Sequence, residues 1–116
     1  MEALPPYIEL HMHSCWSLRE GASKPMELLA QARELGYDAI ALTDHDGLYG
    51  SMEFAQRAHE AGIRPITGAE LTLSDGSHLT VIAETVAGYR NLCRLLSQAH
   101  RPDRENPRTD RATLFA

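Results

Sequence analysis

His11 and His13 are separated by a single residue and lie at the end of an apolar stretch, residues 7–11, which predicts a first short strand. Residues two apart on a strand point to the same face, so both imidazoles can reach one metal ion. Such a pair is weak evidence by itself, because surface histidines are common. The pair gains weight only if further ligands arrive at the same place.

Three more candidate ligands come at the ends of other predicted strands. His45 follows the apolar run 39–42, Glu70 follows the predicted strand 63–66, and His78 opens a later strand. In parallel α/β proteins the strand ends and the loops after them form the active face, so we expect these side chains to lie together. Taken singly, each has a simpler interpretation: a histidine that caps a turn, or a solvated glutamate at the start of an edge strand.

Four of the six histidines therefore fall at predicted strand ends, in an environment that they share with Glu70 and Glu20. Mixed imidazole and carboxylate ligands suit Zn, Mn or Fe better than Ca or Mg. A carboxylate can also bridge two cations, which imidazole does not do easily. The pattern predicts a site for divalent transition-metal ions.

The elements that must position these residues are predicted from apolar periodicity and turn residues. The predicted helices cover residues 25–35, 51–61 and 87–99, and the predicted strands cover residues 7–11, 39–42, 63–66, 70–73 and 78–83. The last two strands flank Ser74-Asp75-Gly76-Ser77, a hairpin signal with Asp-Gly at its centre. Strands and helices alternate before this hairpin, which predicts repeated βαβ units and a largely parallel α/β sheet or barrel.

The composition is that of one small globular domain, with 43% apolar and 23% charged residues. The net charge of −5, from 16 acidic and 11 basic residues, makes the chain a poor candidate for binding DNA on its own. Acidic groups and histidines suit a cation site better, although simple solubility also explains the charge.

Cys15 and Cys93 are far apart and form no paired pattern, which indicates a reducing compartment. Residues 1–6 show no signal peptide, and no apolar run approaches the ~20 residues that cross a bilayer. We therefore expect a cytoplasmic protein without a membrane segment.

The character of the chain changes after His100. Residues 101–111 are almost wholly polar, contain two prolines and show no periodicity, so we predict a surface loop or linker. Residues 113–116 turn apolar again. We therefore predict that residues 1–100 belong to one metal-binding domain and that residues 101–116 are a polar linker and the start of a further, truncated element.

The sequence resembles the PHP (polymerase and histidinol phosphatase) superfamily. The likeness is carried by His11-Met12-His13-Ser14, Gly21-Ala22-Ser23, Leu42-Thr43-Asp44-His45-Asp46-Gly47 and Gly68-Ala69-Glu70. Two further stretches, residues 49–66 and 78–95, resemble the C-family DNA polymerase branch, the second through Gly88-Tyr89-Arg90-Asn91-Leu92. The compact hairpin from Glu70 to His78 looks more like the error-prone than the replicative branch.

The resemblance implies the first several βα units of a distorted TIM-like barrel, and it also implies a set of metal ligands. The implied ligands are His11, His13, Glu20, His45, Glu70 and His78. Asp44 would lie behind them and orient an imidazole. Glu20 departs from the aspartate that the family usually shows, and His59 and His100 match nothing in the pattern, so they are expected to be structural or exposed. No catalytic residue is assigned.

The function that the resemblance implies is that of a PHP portion of an error-prone, translesion DNA polymerase. Its partner would be the rest of that polymerase, which would contact DNA in its place, and its cofactor a divalent metal cluster of Zn, Mn or Fe. The cluster would serve proofreading or structure. Two alternatives remain: a free-standing PHP phosphoesterase acting on a small phosphate or nucleotide, and a domain whose metals only stabilise the fold. A partial barrel leaves a sheet edge open, so self-association is expected.

Overall fold

The computed structural model describes residues 6–115, which form a mixed α/β domain. In chain order the elements are α1 (Pro25–Glu34), β1 (Ala39–His45), α2 (Ser51–Ala61), β2 (Arg64–Thr72), β3 (His78–Ile82), α3 (Val86–His100) and α4 (Arg111–Leu114). No helix in this described part is long and apolar enough to cross a membrane.

The three strands form one sheet in the order β1-β2-β3. β1 and β2 are parallel and joined through α2, which is the predicted βαβ unit, whereas β2 and β3 are antiparallel and form the predicted hairpin. The register pairs His45 with Glu70 across β1 and β2, and Thr72 with His78 across β2 and β3. The strand pairing therefore fixes three candidate metal ligands, His45, Glu70 and His78, at one end of the sheet.

Two apolar clusters hold the helices against this sheet. In the first, Leu29 of α1 and Phe54 of α2 pack with Leu42 of β1. In the second, Leu92 and Leu96 of α3 pack with β2. The helix bounds were predicted well: α2 matches its prediction at both ends, and its last carbonyls are capped through a glycine at position 62 with φ 74°.

The prediction of a first strand at residues 7–11 is wrong. This segment runs beside β1, and the amides of Ala41 and Thr43 donate to the carbonyls of Glu9 and Met12, each at 2.9 Å. Between those bonds the segment advances three residues while β1 advances two. The mismatch interrupts the ladder, in the manner of a bulge, so no regular strand forms.

The predicted break between strands 63–66 and 70–73 is also wrong, because β2 runs through both without a turn. Gly68 lies inside the strand, where a Cβ would overlap the carbonyl oxygen of Val81 in β3. Glycine is therefore needed here for the close approach of two backbones.

The loop predicted over residues 101–111 contains no helix or regular strand up to residue 110, whereas Arg111 already belongs to α4, and the segment is tied to the domain near its end. Thr109 is 3% exposed, its amide donates to the carbonyl of Thr72 at 2.9 Å, and its carbonyl accepts from Ser74 at 3.0 Å. α4 then begins, with Asp110 accepting from the amide of Thr113. A domain boundary at residue 100 stays a prediction.

Candidate metal centre

Glu70 lies at the centre of the candidate site and is 6% exposed. Nε2 of His11 donates to its Oε1 at 2.7 Å, and Nε2 of His13 donates to its Oε2 at 3.1 Å. The loop before α1 therefore brings its two histidines to the end of β2, as the sequence predicts. The alternative of a solvated glutamate at an edge strand is wrong, since Glu70 is buried in the central strand.

His45 lies beside this group, at the end of β1. Its Nδ1 donates to the carboxylate of Glu20 at 3.0 Å, and its Nε2 lies 2.6 Å from Oγ1 of Thr72. The same carboxylate lies 3.6 Å from Nδ1 of His13. The glutamate that departs from the family pattern thus reaches both histidines.

His78 completes the group from the start of β3. Its Nδ1 lies 3.9 Å from Oε2 of Glu70, and its ring centroid lies 4.8 Å from that of His45. The structure therefore brings together all six of the residues predicted as metal ligands.

Two overlapping sets of donor atoms emerge from this arrangement. One consists of His11, His13 and Glu70, the other of His45, Glu70 and His78, and within each set the candidate ligand atoms lie within 4.8 Å of one another. Glu70 belongs to both sets, and a carboxylate has two oxygens with which to serve two cations. The donor chemistry, imidazole nitrogen with carboxylate oxygen, fits Zn, Mn or Fe.

The environment of Glu70 keeps its carboxylate ionised. Burial would raise the pKa of Glu70, but the hydrogen bond from His11 and the charges of His13, His11 and His45 outweigh it and lower the pKa below the ordinary value of 4.5. A carboxylate that remains charged at neutral pH is the form that binds a cation.

Asp44 supports the site through serines. It is 2% exposed, and its carboxylate accepts from the amide and hydroxyl of Ser14 at 2.6 and 2.8 Å and from the hydroxyl of Ser17 at 2.7 Å. Ser17 in turn accepts from the amide of His45 at 2.9 Å. Among the described residues, the hydrogen-bond partners of the Asp44 carboxylate are these serines and not an imidazole. Asp44 therefore positions the histidines through the backbone.

Asp46 and Thr72 are the residues that the sequence reasoning missed. The buried carboxylate of Asp46 accepts from the amide of Thr72 at 2.8 Å and from its hydroxyl at 2.6 Å, and lies 3.1 Å from Nε2 of His45. Asp46 adopts a left-handed conformation, with φ 50°, which turns its side chain back toward the strand end. The sequence offered one signal for Asp46, its position directly after the candidate ligand His45.

The two histidines outside the predicted ligand set behave as expected. His59 is exposed on α2. His100, at the end of α3, is half-buried, and its Nε2 donates to the carbonyl of Asp46 at 2.7 Å. This contact joins α3 to the loop after β1.

The fold and these candidate ligands are those of a domain suited to binding divalent metal ions. Residues 9–116 match the PHP domain, and the chain belongs to that family. The chain is 46% identical over 110 residues to an error-prone DNA polymerase of Symbiobacterium thermophilum, and 48% identical over 104 residues to one of Mycobacterium tuberculosis. These matches cover 95% and 81% of this chain but only 10% of either relative, so the chain spans about a tenth of their length.

Two solved structures share the fold. An amidohydrolase from Chromobacterium violaceum, determined with bound sulfate and no metal, aligns with a TM-score of 0.67 and 31% identity over 84% of this chain and 34% of its own. A two-domain protein from Bacteroides vulgatus, predicted to contain a PHP-like metal-dependent phosphoesterase, aligns with a TM-score of 0.59 and 23% identity over 78% of this chain and 32% of its own. The fold is that of a partial PHP-type (β/α) barrel.

Proposed function

We propose that this chain is the PHP portion of an error-prone DNA polymerase and that its histidine and glutamate cluster holds divalent transition-metal ions for phosphodiester hydrolysis. The observation that carries the proposal is the position of Glu70 in two donor sets at once. A carboxylate shared between two cation sites is suited to holding two ions close together, as hydrolytic centres require.

Different residues of the chain would bind the ions and position the ligands. Bound ions would supply Lewis acidity and lower the pKa of a water molecule. Glu70 and the histidines would hold the ions, while Asp44, Ser14 and Ser17 fix the loop that carries His13. Glu20, whose side chain is 40% exposed, lies on the open side of the cluster, where it contacts His13 and His45.

The polymerase assignment rests on the curated relatives, which are named error-prone DNA polymerases and are 43–48% identical to this chain. Under this proposal the parent adds nucleotides opposite damaged bases in the cytoplasm, nucleotidyl transfer occurs outside the present chain, and DNA is bound by the parent. Determining the gene sequence beyond codon 116 tests this directly. Further PHP ligands followed by polymerase motifs are expected, and a stop codon shortly after the PHP domain would favour a free-standing phosphoesterase.

Self-association is a further part of the proposal. β3 pairs with β2 on one side, and no other described strand pairs with its second edge. An open edge can pair with a second copy. Light scattering after size-exclusion chromatography should show species larger than a 12.9 kDa monomer.

Metal analysis and hydrolysis of a nitrophenyl phosphodiester in Mn test the chemical proposal. Glu70→Gln should lose bound metal, and Glu60→Gln, on the exposed side of α2, should retain it. In the complete PHP domain the chelator-sensitive hydrolysis should follow metal content, whereas this chain, which spans about a third of the aligned solved structures, should show little. Metal binding without any hydrolysis in the complete domain would contradict a hydrolytic role and favour purely structural metals.

A further inference from the structure

A cavity of about 710 Å³ opens beside the metal centre. Glu20, His45 and His78 line one side of it, and residues from the loop 104–108 line the other. Its volume lies within the range of roughly 300–1,000 Å³ typical of ligand pockets. The segment predicted from the sequence to be a linker is therefore a wall of this cavity.

Two aromatic rings also line the cavity. Trp16 is 44% exposed and Tyr49 is 64% exposed, so each presents ring surface to solvent. Both rings pack on glycine backbone: a Cβ on Gly50 would overlap the indole of Trp16, and one on Gly47 would overlap the ring of Tyr49. The loop after β1 thus supports two exposed aromatic surfaces next to the candidate ligands.

Three arginines, Arg19, Arg104 and Arg108, complete the lining. They balance three carboxylates of the same cavity, those of Glu20, Asp46 and Glu105. The cavity is therefore close to neutral by itself, and each divalent ion in the adjoining centre adds two positive charges. Anion binding here is expected to strengthen when metal is present.

The loop that carries two of these arginines is held in place. The carbonyl of Arg104 lies 3.4 Å from Nδ1 of His100, and the amide of Arg108 donates to the carbonyl of Ala99 at 3.3 Å. The buried Thr109 then fixes the end of the loop to β2. These contacts hold the backbone of the loop, so Arg104 and Arg108 line the cavity as part of the domain, with Nη1 of Arg108 donating to the carbonyl of Pro107 at 2.8 Å.

We propose that this cavity binds the terminal nucleotide of a single-stranded nucleic acid, with its base stacked on Trp16 and its phosphate bound by Arg104 and Arg108 beside the metal centre. The inference deepens the proposed function, on which its metal dependence rests. Exposed aromatic rings next to arginines are the combination that binds single strands without reading their sequence.

The single tryptophan of the chain provides a direct readout, because a base that stacks on Trp16 quenches its fluorescence. Titration with a four-nucleotide oligothymidylate should give saturable quenching, which is tighter with Zn than with EDTA and weaker at higher salt. Inorganic phosphate, which has no base, should produce no comparable quenching at the same concentrations.

Variants separate the two contacts. The double change Arg104→Gln and Arg108→Gln should weaken oligonucleotide binding about ten-fold or more, whereas Arg94→Gln, on the exposed face of α3, should not. Because Trp16→Leu removes the fluorophore, binding to this variant is measured through the fluorescence anisotropy of a labelled oligonucleotide. The change should weaken binding roughly 5- to 100-fold, as expected for loss of base stacking. Tyr7→Leu, an exposed tyrosine outside the cavity, is the matched control. Circular dichroism checks that each variant folds.

The outcomes distinguish this inference from the metal proposal. Oligonucleotide binding by a chain that holds no metal would overturn the metal centre and leave the nucleotide site standing. A metal-loaded chain that shows no quenching, or that binds equally well after the Arg104 and Arg108 changes, would overturn the nucleotide site alone. Equal quenching by inorganic phosphate would overturn the stacking of a base on Trp16.

Discussion

His45, the last residue of β1, lies directly opposite Glu70 of β2 in the parallel register. Backbone pairing fixes the separation of these two positions, whereas His11, His13 and Glu20 are carried by irregular loops. The sheet therefore provides the rigid half of the candidate centre, and the amino-terminal loop provides the adjustable half.

The lowered pKa of Glu70 predicts a pH dependence in the metal-free chain. Since its folded-state pKa lies below the ordinary 4.5, its ionised contacts stabilise the fold above pH 4.5, and that contribution disappears as the pH falls through the folded-state value. The free energy of unfolding of the wild type should exceed that of Glu70→Gln above pH 4.5 and converge with it below. Urea unfolding across this range in EDTA measures the difference, and a gap that widens on acidification would contradict the assignment.

Removal of His11 should weaken metal binding by roughly ten-fold or more, since even the loss of groups that only support a ligand typically costs that much. Calorimetric titration of wild type and His11→Ala with Zn or Mn measures the change. His59→Ala is the matched control, because His59 is exposed on α2, away from the donor sets. Equal affinity in wild type and His11→Ala would remove His11 from the ligand set.

Asp44→Asn should destabilise the domain even without metal. The amide keeps one acceptor oxygen and replaces the other with a donor, so it cannot accept all three bonds from Ser14 and Ser17. We expect a loss of roughly 2–4 kcal/mol, because hydrogen bonds to charged groups contribute about 1.5–3 kcal/mol each. The measurement is the free energy of unfolding, with the exposed Asp38→Asn as the control. A change as small as that of the control would show that the buried contacts of Asp44 contribute little.

Trypsin should cut first after Arg104. The bond is exposed, whereas Pro102 protects the one after Arg101, and the buried Thr109, hydrogen-bonded to β2, protects the one after Arg108. Mass spectrometry of short digests identifies the first cut. Early cleavage after Arg57, inside α2, would contradict the predicted domain organisation.

The helices, and the meeting of the candidate ligands at one end of the sheet, could be predicted from sequence because each depends on local signals. α2 combines an apolar stripe with Gly62 as its end, and the candidate ligands recur at strand ends. The strand at residues 7–11 failed because its pairing depends on register with β1, which composition does not encode. The break predicted between strands 63–66 and 70–73 failed for a similar reason: Gly68 accommodates the backbone of Val81, which is a contact between strands.

The supporting residues were harder to assign. Asp44 and Asp46 flank His45 in sequence, yet Asp44 contacts serines of the amino-terminal loop and Asp46 contacts Thr72. Which partner each carboxylate meets depends on the side of β1 that it faces and on the left-handed turn at Asp46. Neither is visible in the order of residues alone.

The interrupted ladder between residues 9–12 and β1 has a consequence for how metal ions exchange. Two backbone bonds, the bond from the amide of Met12 to Oγ1 of Thr43 and the contact of His11 with Glu70 hold this segment. None of these belongs to a regular ladder, so opening of the segment requires less free energy than unfolding of the sheet. Amide hydrogens of Ala41 and Thr43 should therefore exchange with solvent faster than those inside β2. His11 and His13 would swing away together during such an opening, which gives ions a route in and out while His45 and Glu70 stay paired.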